Sequence, residues 1–522
     1  DSFKRRKLTS FTHRFSISEK TFVLIFYHVF KCHEYAIYSF IQSCHTLNFI
    51  DYLCMNVLNQ QLKMNNGEDL TRGKITPTLL RFTMPMIAGA MMQQCYNIAD
   101  TLIVGRFIGA EALAAVGSAY TLMVFITSVM LGLSMGSGTV FSLKFGEGNM
   151  AGLRQSVAAS LLLTGGITVV LNAAAYIWID GTLRLLSVPA DVYPLMRSYL
   201  MIIYGGIALS FVYNFCASLL RSVGNSRTPL WVLAASVVLN VVLDLVLVLL
   251  FGLGIEGAAW ATLISQAAAA IGITAYILKT RPELIPRRKD MAVSRATLGE
   301  IATFSSLTCV QQSVMNFGIL MVQGLVNSFG MAVMAAFAAA VKIDSFAYMP
   351  VQELGNAFST FVAQNFGASK RGRIRRGVRQ ALLMTTVFSL VVSAAVFVLA
   401  KPLMMIFVDG SQHDIISIGV RYLRIEGAFY VGIGVLFLLY GYYRAIRMPG
   451  MSVVLTVLSL GLRMALAYAL SAVPGIGVDG IWWSIPIGWA VADAVGMLYY
   501  GKTLRRIYAR RGNAAHAMTV RT

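Results

Sequence analysis

Apolar stretches long enough to cross a lipid bilayer recur along most of the chain. They fall at 78–104, 112–143, 153–179, 192–220, 229–252 and 256–279, and then at 298–326, 331–364, 377–400, 415–443, 450–473 and 479–501. A spanning α-helix needs about 20 mostly apolar residues, and each stretch is at least that long. The pattern therefore predicts an all-α polytopic membrane protein with twelve transmembrane helices, six on each side of a basic linker.

The two sets of six stretches resemble each other in sequence. The corresponding segments are FIGAEALAAVGSAY (107–120) and SFGMAVMAAFAAAV (328–341), KFGEGN (144–149) and NFGASK (365–370), and LGIEGAAW (253–260) and IGVDGIWW (476–483). Because each set has an even number of helices, both copies begin on the same side of the membrane and form a parallel repeat. Halves related in this way usually enclose a site between them, so we expect two pseudo-symmetric six-helix lobes.

The repeat divides the chain into parts. We predict an atypical N-terminal extension (1–69), an amino lobe (70–280), a basic linker (281–297), a carboxy lobe (298–506) and a tail (507–522). The extension holds four of the six His and three of the six Cys, and it resembles neither a signal peptide nor a transit peptide closely. We interpret it as an upstream extension, with a natural start at Met55 or Met64.

Composition and charge agree with a membrane protein. Apolar residues make up 57% of the chain and charged residues 13%, whereas about a quarter of a soluble domain is charged. The net charge of +20 could suggest nucleic acid, but the basic residues cluster in short loops on alternate sides of the apolar stretches. Such clusters mark the cytoplasmic side. We therefore expect no nucleic-acid partner, a location in the plasma membrane and cytoplasmic termini.

A small group of polar residues interrupts the amino-lobe stretches at one depth. Asp244 is the only ionisable residue of the fifth stretch, and Asn240 precedes it by one helical turn on the same face. Asp100 in the first stretch and Thr262 in the sixth lie, like Asp244, about 9–12 Å from the outer surface at 1.5 Å per residue. Because ionisable residues inside a membrane are costly, this layer predicts a functional site.

Two further groups of polar residues leave more than one interpretation open. Gln93, Tyr96 and Asn97 share a helical face with Asp100, so they could line a substrate cavity or simply pack between helices. In the carboxy lobe, we expect the charged side chains at a shared depth to form an interior salt-bridged cluster, with a role in ion coupling as the alternative. That predicted cluster consists of Lys342, Glu426 and Arg463.

Two segments match enzyme motifs by their letters but lack the structural context that those motifs need. Residues 496–503 match the phosphate-loop string GxxxxGK[ST], but they end an apolar helix with no strand before them. Residues 132–136 match the nucleophile string GxSxG, but no predicted helix contains a His to act as the base. The cysteines within the apolar stretches show no ligand spacing. We therefore expect no enzymatic activity and no cofactor.

Several of these segments resemble the multidrug and toxic compound extrusion (MATE) family. The similarity lies in NIADTLIVGRFIGAEALAAVG (97–117), the KFGEGN turn, NSFG…AQNFGA (327–368) and the N-x-x-x-D…GAAWAT block, and it covers about 70–510. The resemblance implies two lobes around a cavity that opens to one side at a time. It also implies export of organic cations, driven by inward movement of Na⁺ or H⁺.

The resemblance also implies which residues carry the coupling ion. In several prokaryotic members the site uses an Asp on helix 1, an Asn and an Asp on helix 5 and a Thr on helix 6, with a backbone carbonyl as a further candidate. Here those positions are held by Asp100, Asn240, Asp244, Thr262 and the carbonyl of Ala258.

The carboxy lobe departs from this pattern. The repeat offset places Arg463 opposite Asn240, so the carboxy lobe has no copy of the site. Some family members use acidic residues in this lobe, where the chain has Asp344, Glu353 and Glu426, whose roles stay open.

Together these observations predict a secondary antiporter. We expect it to act as a monomer in the lipid bilayer and to export amphipathic or cationic drugs and other toxic organic compounds in exchange for Na⁺ or H⁺. The alternative is a flippase for a lipid-linked oligosaccharide on a related two-lobe fold. A flippase would need a cavity lined by several Arg, and Arg463 is the main candidate.

Overall fold

A computed structural model describes residues 69–185, 188–189 and 191–519 of the chain. Almost all of the predicted N-terminal extension, including both candidate starts, lies outside the described residues.

In the described residues, the amino lobe consists of eight α-helices. They are α1 (Ile75–Phe107), α2 (Ala110–Gly146), α3 (Met150–Ile177), α4 (Ile179–Leu185), α5 (Tyr193–Ile203), α6 (Gly206–Ser222), α7 (Arg227–Asp244) and α8 (Gly254–Thr280). A π-helix (Leu245–Leu250) continues α7. The side chain of Asn149 accepts a hydrogen bond from the backbone N–H of Gly152 and so fixes the start of α3.

The carboxy lobe follows two short 3₁₀ turns, Pro282–Leu284 and Arg288–Met291. Its helices are α9 (Arg295–Asn327), α10 (Met331–Gly367), α11 (Arg371–Met404), α12 (His413–Gly427), α13 (Tyr430–Ala445), α14 (Pro449–Ser471) and α15 (Val478–Thr519). Ser294 caps α9 by accepting a hydrogen bond from the N–H of Thr297.

The spans predicted from the apolar stretches are confirmed within the described residues. Nine segments are long and apolar enough to cross a membrane as they stand. Two more spans are bent pairs of helices, α5 with α6 at 43° and α12 with α13 at 51°. With α1, which is 33 residues long and contains Pro85, they give the twelve spans and two lobes that the sequence predicts.

The lobes meet at one end of the bundle, which we call the basic end because Lys144, Arg154, Lys370 and Arg447 lie in its loops or in the adjoining helix ends. Here α2 presses against α9 and α10 of the other lobe. A Cβ on Gly136 would lie only 2.5 Å from the Cα of Ser305, so glycine is what permits this approach. The segment that matches the nucleophile string GxSxG therefore serves helix packing.

At the opposite end the lobes separate. Phe125 lies two turns before Gly132 on the same face of α2, yet it is 42% exposed. Leu320, three turns beyond Cys309 on the same face of α9, is also 42% exposed. Since Gly132 packs directly on Cys309, the helices diverge within a few turns. They leave a cleft between the lobes that is closed at the basic end.

Candidate functional site

The polar residues predicted in the amino lobe are buried together inside it. Asp100 on α1 is 9% exposed, and Asp244, the last residue of α7, is fully buried. Asn240 and Thr262 are also buried, Asn240 one turn before Asp244 and Thr262 on α8. The apolar stretches thus deliver two acids, an amide and a hydroxyl to the interior of one lobe.

Hydrogen bonds connect three of the helices that supply this group. The phenol oxygen of Tyr96 on α1 lies 3.2 Å from the hydroxyl of Thr262, and the amide nitrogen of Asn240 donates to the same hydroxyl at 3.5 Å. Asp100 and Asp244 are close enough for their carboxylates to repel each other when both are charged. Ala258, the predicted carbonyl ligand, is buried one turn before Thr262.

Several oxygens of this group have no hydrogen-bond donor among the described residues. They are both carboxylate oxygens of Asp244, one of Asp100 and the amide oxygen of Asn240. A buried carboxylate without a donor or counter-charge is destabilising. The arrangement is chemically suited to a cation that prefers oxygen ligands, such as Na⁺, or to protonation of the acids. Within the described residues no group of three His, Cys, Asp or Glu converges, so a bound cation would also depend on the amide and hydroxyl.

The backbone immediately after Asp244 is unusual, and sequence reasoning missed it. Residues Leu245–Leu250 form a π-helix in which the N–H of Phe251 bonds to the carbonyl of Val246, five residues back. Such wide turns are frequent at functional sites, because they change the direction of side chains within one helix. The sequence LVLVLL carries no proline, glycine or polar residue that could have signalled it.

The residues predicted to line a substrate cavity differ in their surroundings. Gln93 is exposed, and Tyr96 and Asn97 are half-buried. Tyr96 contacts Thr262, while the amide of Asn97 donates to Gln94 at 3.3 Å. Of the three, Gln93 is the most exposed.

The carboxy-lobe cluster differs from the prediction. Glu426 is buried on α12, and Arg463 is half-buried on α14. Asp344 lies within electrostatic range of both. Lys342 is exposed and does not join them, because residues two apart on a helix point in nearly opposite directions. No salt bridge links these side chains in the part of the chain that the structure describes, so the predicted salt-bridged cluster with Lys342 is wrong.

Glu353 lies elsewhere in the carboxy lobe. It is half-buried on α10, where its carboxylate accepts a hydrogen bond from the amide of Asn356 at 3.2 Å.

Comparison with known proteins gives a consistent result. The MatE family model matches residues 85–246 and 308–469, one segment in each lobe. The probable multidrug resistance protein YpnP of Bacillus subtilis is 31% identical over 436 residues, which are 83% of this chain and 96% of that protein. An FAD transporter of Shewanella oneidensis is 26% identical, with 81% of this chain and 94% of the relative covered.

Solved structures show the same fold. An outward-facing MATE family transporter has a TM-score of 0.79 at 24% identity, covering 85% of this chain and 98% of that one. A transporter from Pyrococcus furiosus, described by the reverse polarity of its binding pocket, has a TM-score of 0.80 at 23% identity, covering 85% and 99%. These similarities support the two-lobe architecture of twelve helices.

Proposed function

Because the chain belongs to the multidrug and toxic compound extrusion (MATE) family, we propose that it is a secondary antiporter that exports amphipathic and cationic toxic compounds in exchange for Na⁺ or H⁺. The family consists of transporters rather than enzymes. The observation that carries the proposal is the pair of buried acids, Asp100 and Asp244, in a lobe that borders the cleft. Carboxylate oxygens of both acids have no hydrogen-bond donor among the described residues.

The coupling step follows from the electrostatics of that pair. When the acids are charged and empty, their mutual repulsion and their burial oppose close packing of α1 on α7 and α8. Na⁺ binding or proton uptake removes that opposition, so the helices can pack differently. Pro85 makes such a change easier, because it lacks the N–H that would complete the hydrogen bonding of α1.

The cleft gives the transported compound its access route. It is closed at the basic end, where α2 contacts α9 and α10, and open at the opposite end. The positive-inside rule places the basic end in the cytoplasm, so this conformation faces outward. Rocking of one lobe against the other would then open the cytoplasmic end to receive a substrate, as in other transporters with repeated halves.

The flippase alternative is not favoured. The relatives are described as multidrug or FAD transporters. A flippase cavity would need several Arg, and the main candidate, Arg463, is half-buried in the carboxy lobe near Asp344 and Glu426.

Transport of ethidium by the purified protein in liposomes tests the proposal. Na⁺ and pH gradients are imposed separately, each with the other ion held equal on both sides. We expect one of the gradients to drive ethidium against its own concentration difference, and liposomes without protein provide the control. Movement that proceeds only down the ethidium gradient, whichever ion gradient is imposed, would contradict antiport.

A further inference from the structure

Lys342 places an exposed ammonium group deep inside a membrane span. It is the twelfth residue of α10, about 16 Å from the start of that helix at 1.5 Å per residue. A charge at such a depth is costly unless it faces water or an opposite charge. Because the side chain of Lys342 is exposed, it must face a water-filled space.

The face of α10 that carries Lys342 identifies that space as the cleft. Positions 342, 349, 356 and 363 recur every seven residues and so form one stripe along the helix. Towards the basic end the stripe is covered: Ala363 is fully buried, and Gly367, one turn beyond it, packs on the backbone of Leu143 in the amino lobe. Lys342 lies on the same stripe where the lobes have separated, so its ammonium faces the cleft.

No acid neutralises this ammonium. Lys342 makes no ion pair or side-chain hydrogen bond with any residue that the structure describes. Asp100 and Asp244 are buried inside the amino lobe, and Asp344 points to the opposite side of α10. Glu353 lies three turns closer to the basic end and accepts its hydrogen bond from Asn356.

A second cation without a carboxylate partner, Arg444 on α13, lies inside the carboxy lobe, closer to the basic end than Lys342. Arg444 is 3% exposed, and its guanidinium contacts the oxygens of Ser359 and Asn356, each at 3.4 Å, with no carboxylate within salt-bridge distance in the described residues. Because Arg444 is buried, the exposed positive charge on this face of α10 is the ammonium of Lys342.

We propose that Lys342 binds an anionic group of the transported compound, so that the exported class includes amphipathic compounds bearing a carboxylate or phosphate. This inference rests on the proposed export function and specifies the chemistry of its substrates. An ammonium–carboxylate hydrogen bond is stronger than a neutral one, and it offsets the loss of water from the anion. Phe125 offers an exposed aromatic surface for the apolar part on the amino-lobe face of the cleft.

The test compares two dyes that differ in one group, a cationic rhodamine methyl ester and its free acid. Binding of each dye to the purified protein in detergent is measured by fluorescence polarisation, and export of each is measured in liposomes. The variants are Lys342→Gln, Lys342→Arg and Lys342→Glu. Lys401→Gln is the matched control, because Lys401 is an exposed lysine at the end of α11, outside the stripe that lines the cleft.

Lys342→Gln should weaken binding of the acid about tenfold, which corresponds to the loss of one charged hydrogen bond, and should leave binding of the ester unchanged. Lys342→Arg should bind the acid as tightly as the wild type does, and Lys342→Glu should bind the ester more tightly than the acid. Unchanged binding of the acid by Lys342→Gln, or an equal loss for both dyes, would overturn the inference. Normal dye binding without export driven by either ion gradient would instead count against the proposed antiport.

Discussion

The amide of Asn240 donates to the hydroxyl of Thr262 at 3.5 Å, and this contact joins α7 to α8 beside the two buried acids. The same hydroxyl lies 3.2 Å from the phenol of Tyr96 on α1. Thr262 therefore sits at the meeting point of three helices, where a change in the state of the acids can be transmitted to helix packing.

Replacing Thr262 by Val removes this hydroxyl at nearly constant volume. Each lost hydrogen bond contributes about 1 kcal/mol, so we expect the ion concentration needed for half-maximal export to rise at least about fivefold. The measurement is the ion dependence of ethidium export in liposomes. Thr262→Ser keeps the hydroxyl and should behave like the wild type; if Ser and Val variants are equally impaired, the hydroxyl is not the important group.

Gly146 controls how closely the lobes approach at the basic end. A Cβ at this position would lie 2.8 Å from the Cα of Gln364, so Gly146→Ala should weaken the closed contact by about 1–3 kcal/mol. Cys309, on the face of α9 that meets α2, should then react faster with a maleimide in a variant that retains no other cysteine.

Gly299→Ala is the control for this prediction. Gly299 lies near the start of α9, and a Cβ there meets nothing within 4 Å. Its replacement should leave the reactivity of Cys309 unchanged. Equal reactivity in the wild type and in both alanine variants would show that Gly146 does not set the approach of the lobes.

Asp290 attaches the linker between the lobes to the amino lobe. Its carboxylate accepts hydrogen bonds from the backbone N–H of Arg287 at 2.9 Å and from the Nε of Arg154 at 2.8 Å, and these partners hold the pKa of Asp290 below its usual value of 3.8. Because the folded-state pKa is the lower one, the stabilisation is complete well above pH 3.8 and is lost as the pH falls through the folded-state value.

Thermal unfolding in detergent between pH 7 and pH 3 tests this prediction. Asp290→Asn should have a lower Tm than the wild type at pH 7, and the difference should shrink towards pH 3. Arg154→Gln should reduce the Tm in the same pH-dependent way, and the double variant should add little to either change. A constant difference in Tm across the pH range would show that the ionised carboxylate does not supply the stabilisation.

Much of the fold and part of the site could be predicted from the sequence, because depth in a membrane follows from counting residues. Counting residues puts Asp100, Asp244 and Thr262 in one layer, and the structure brings them into the interior of one lobe. The rotation of a helix about its axis does not follow from counting. The sequence therefore assigns Lys342 to an interior cluster, although its side chain is exposed, whereas Asp344 is buried close to Glu426.

The π-helix after Asp244 was missed for another reason. Its apolar residues fit an α-helix equally well, and packing against neighbouring helices decides between the two.

Ethidium export by Asp100→Asn and Asp244→Asn variants in liposomes tests the central claim most directly. The gradient that drives the wild type is imposed, and Asp493→Asn, which removes a buried acid from the carboxy lobe, is the matched control. We expect both amino-lobe variants to lose gradient-driven export while still inserting and folding, and the control to retain it. Export at the wild-type rate by either amino-lobe variant would contradict the account.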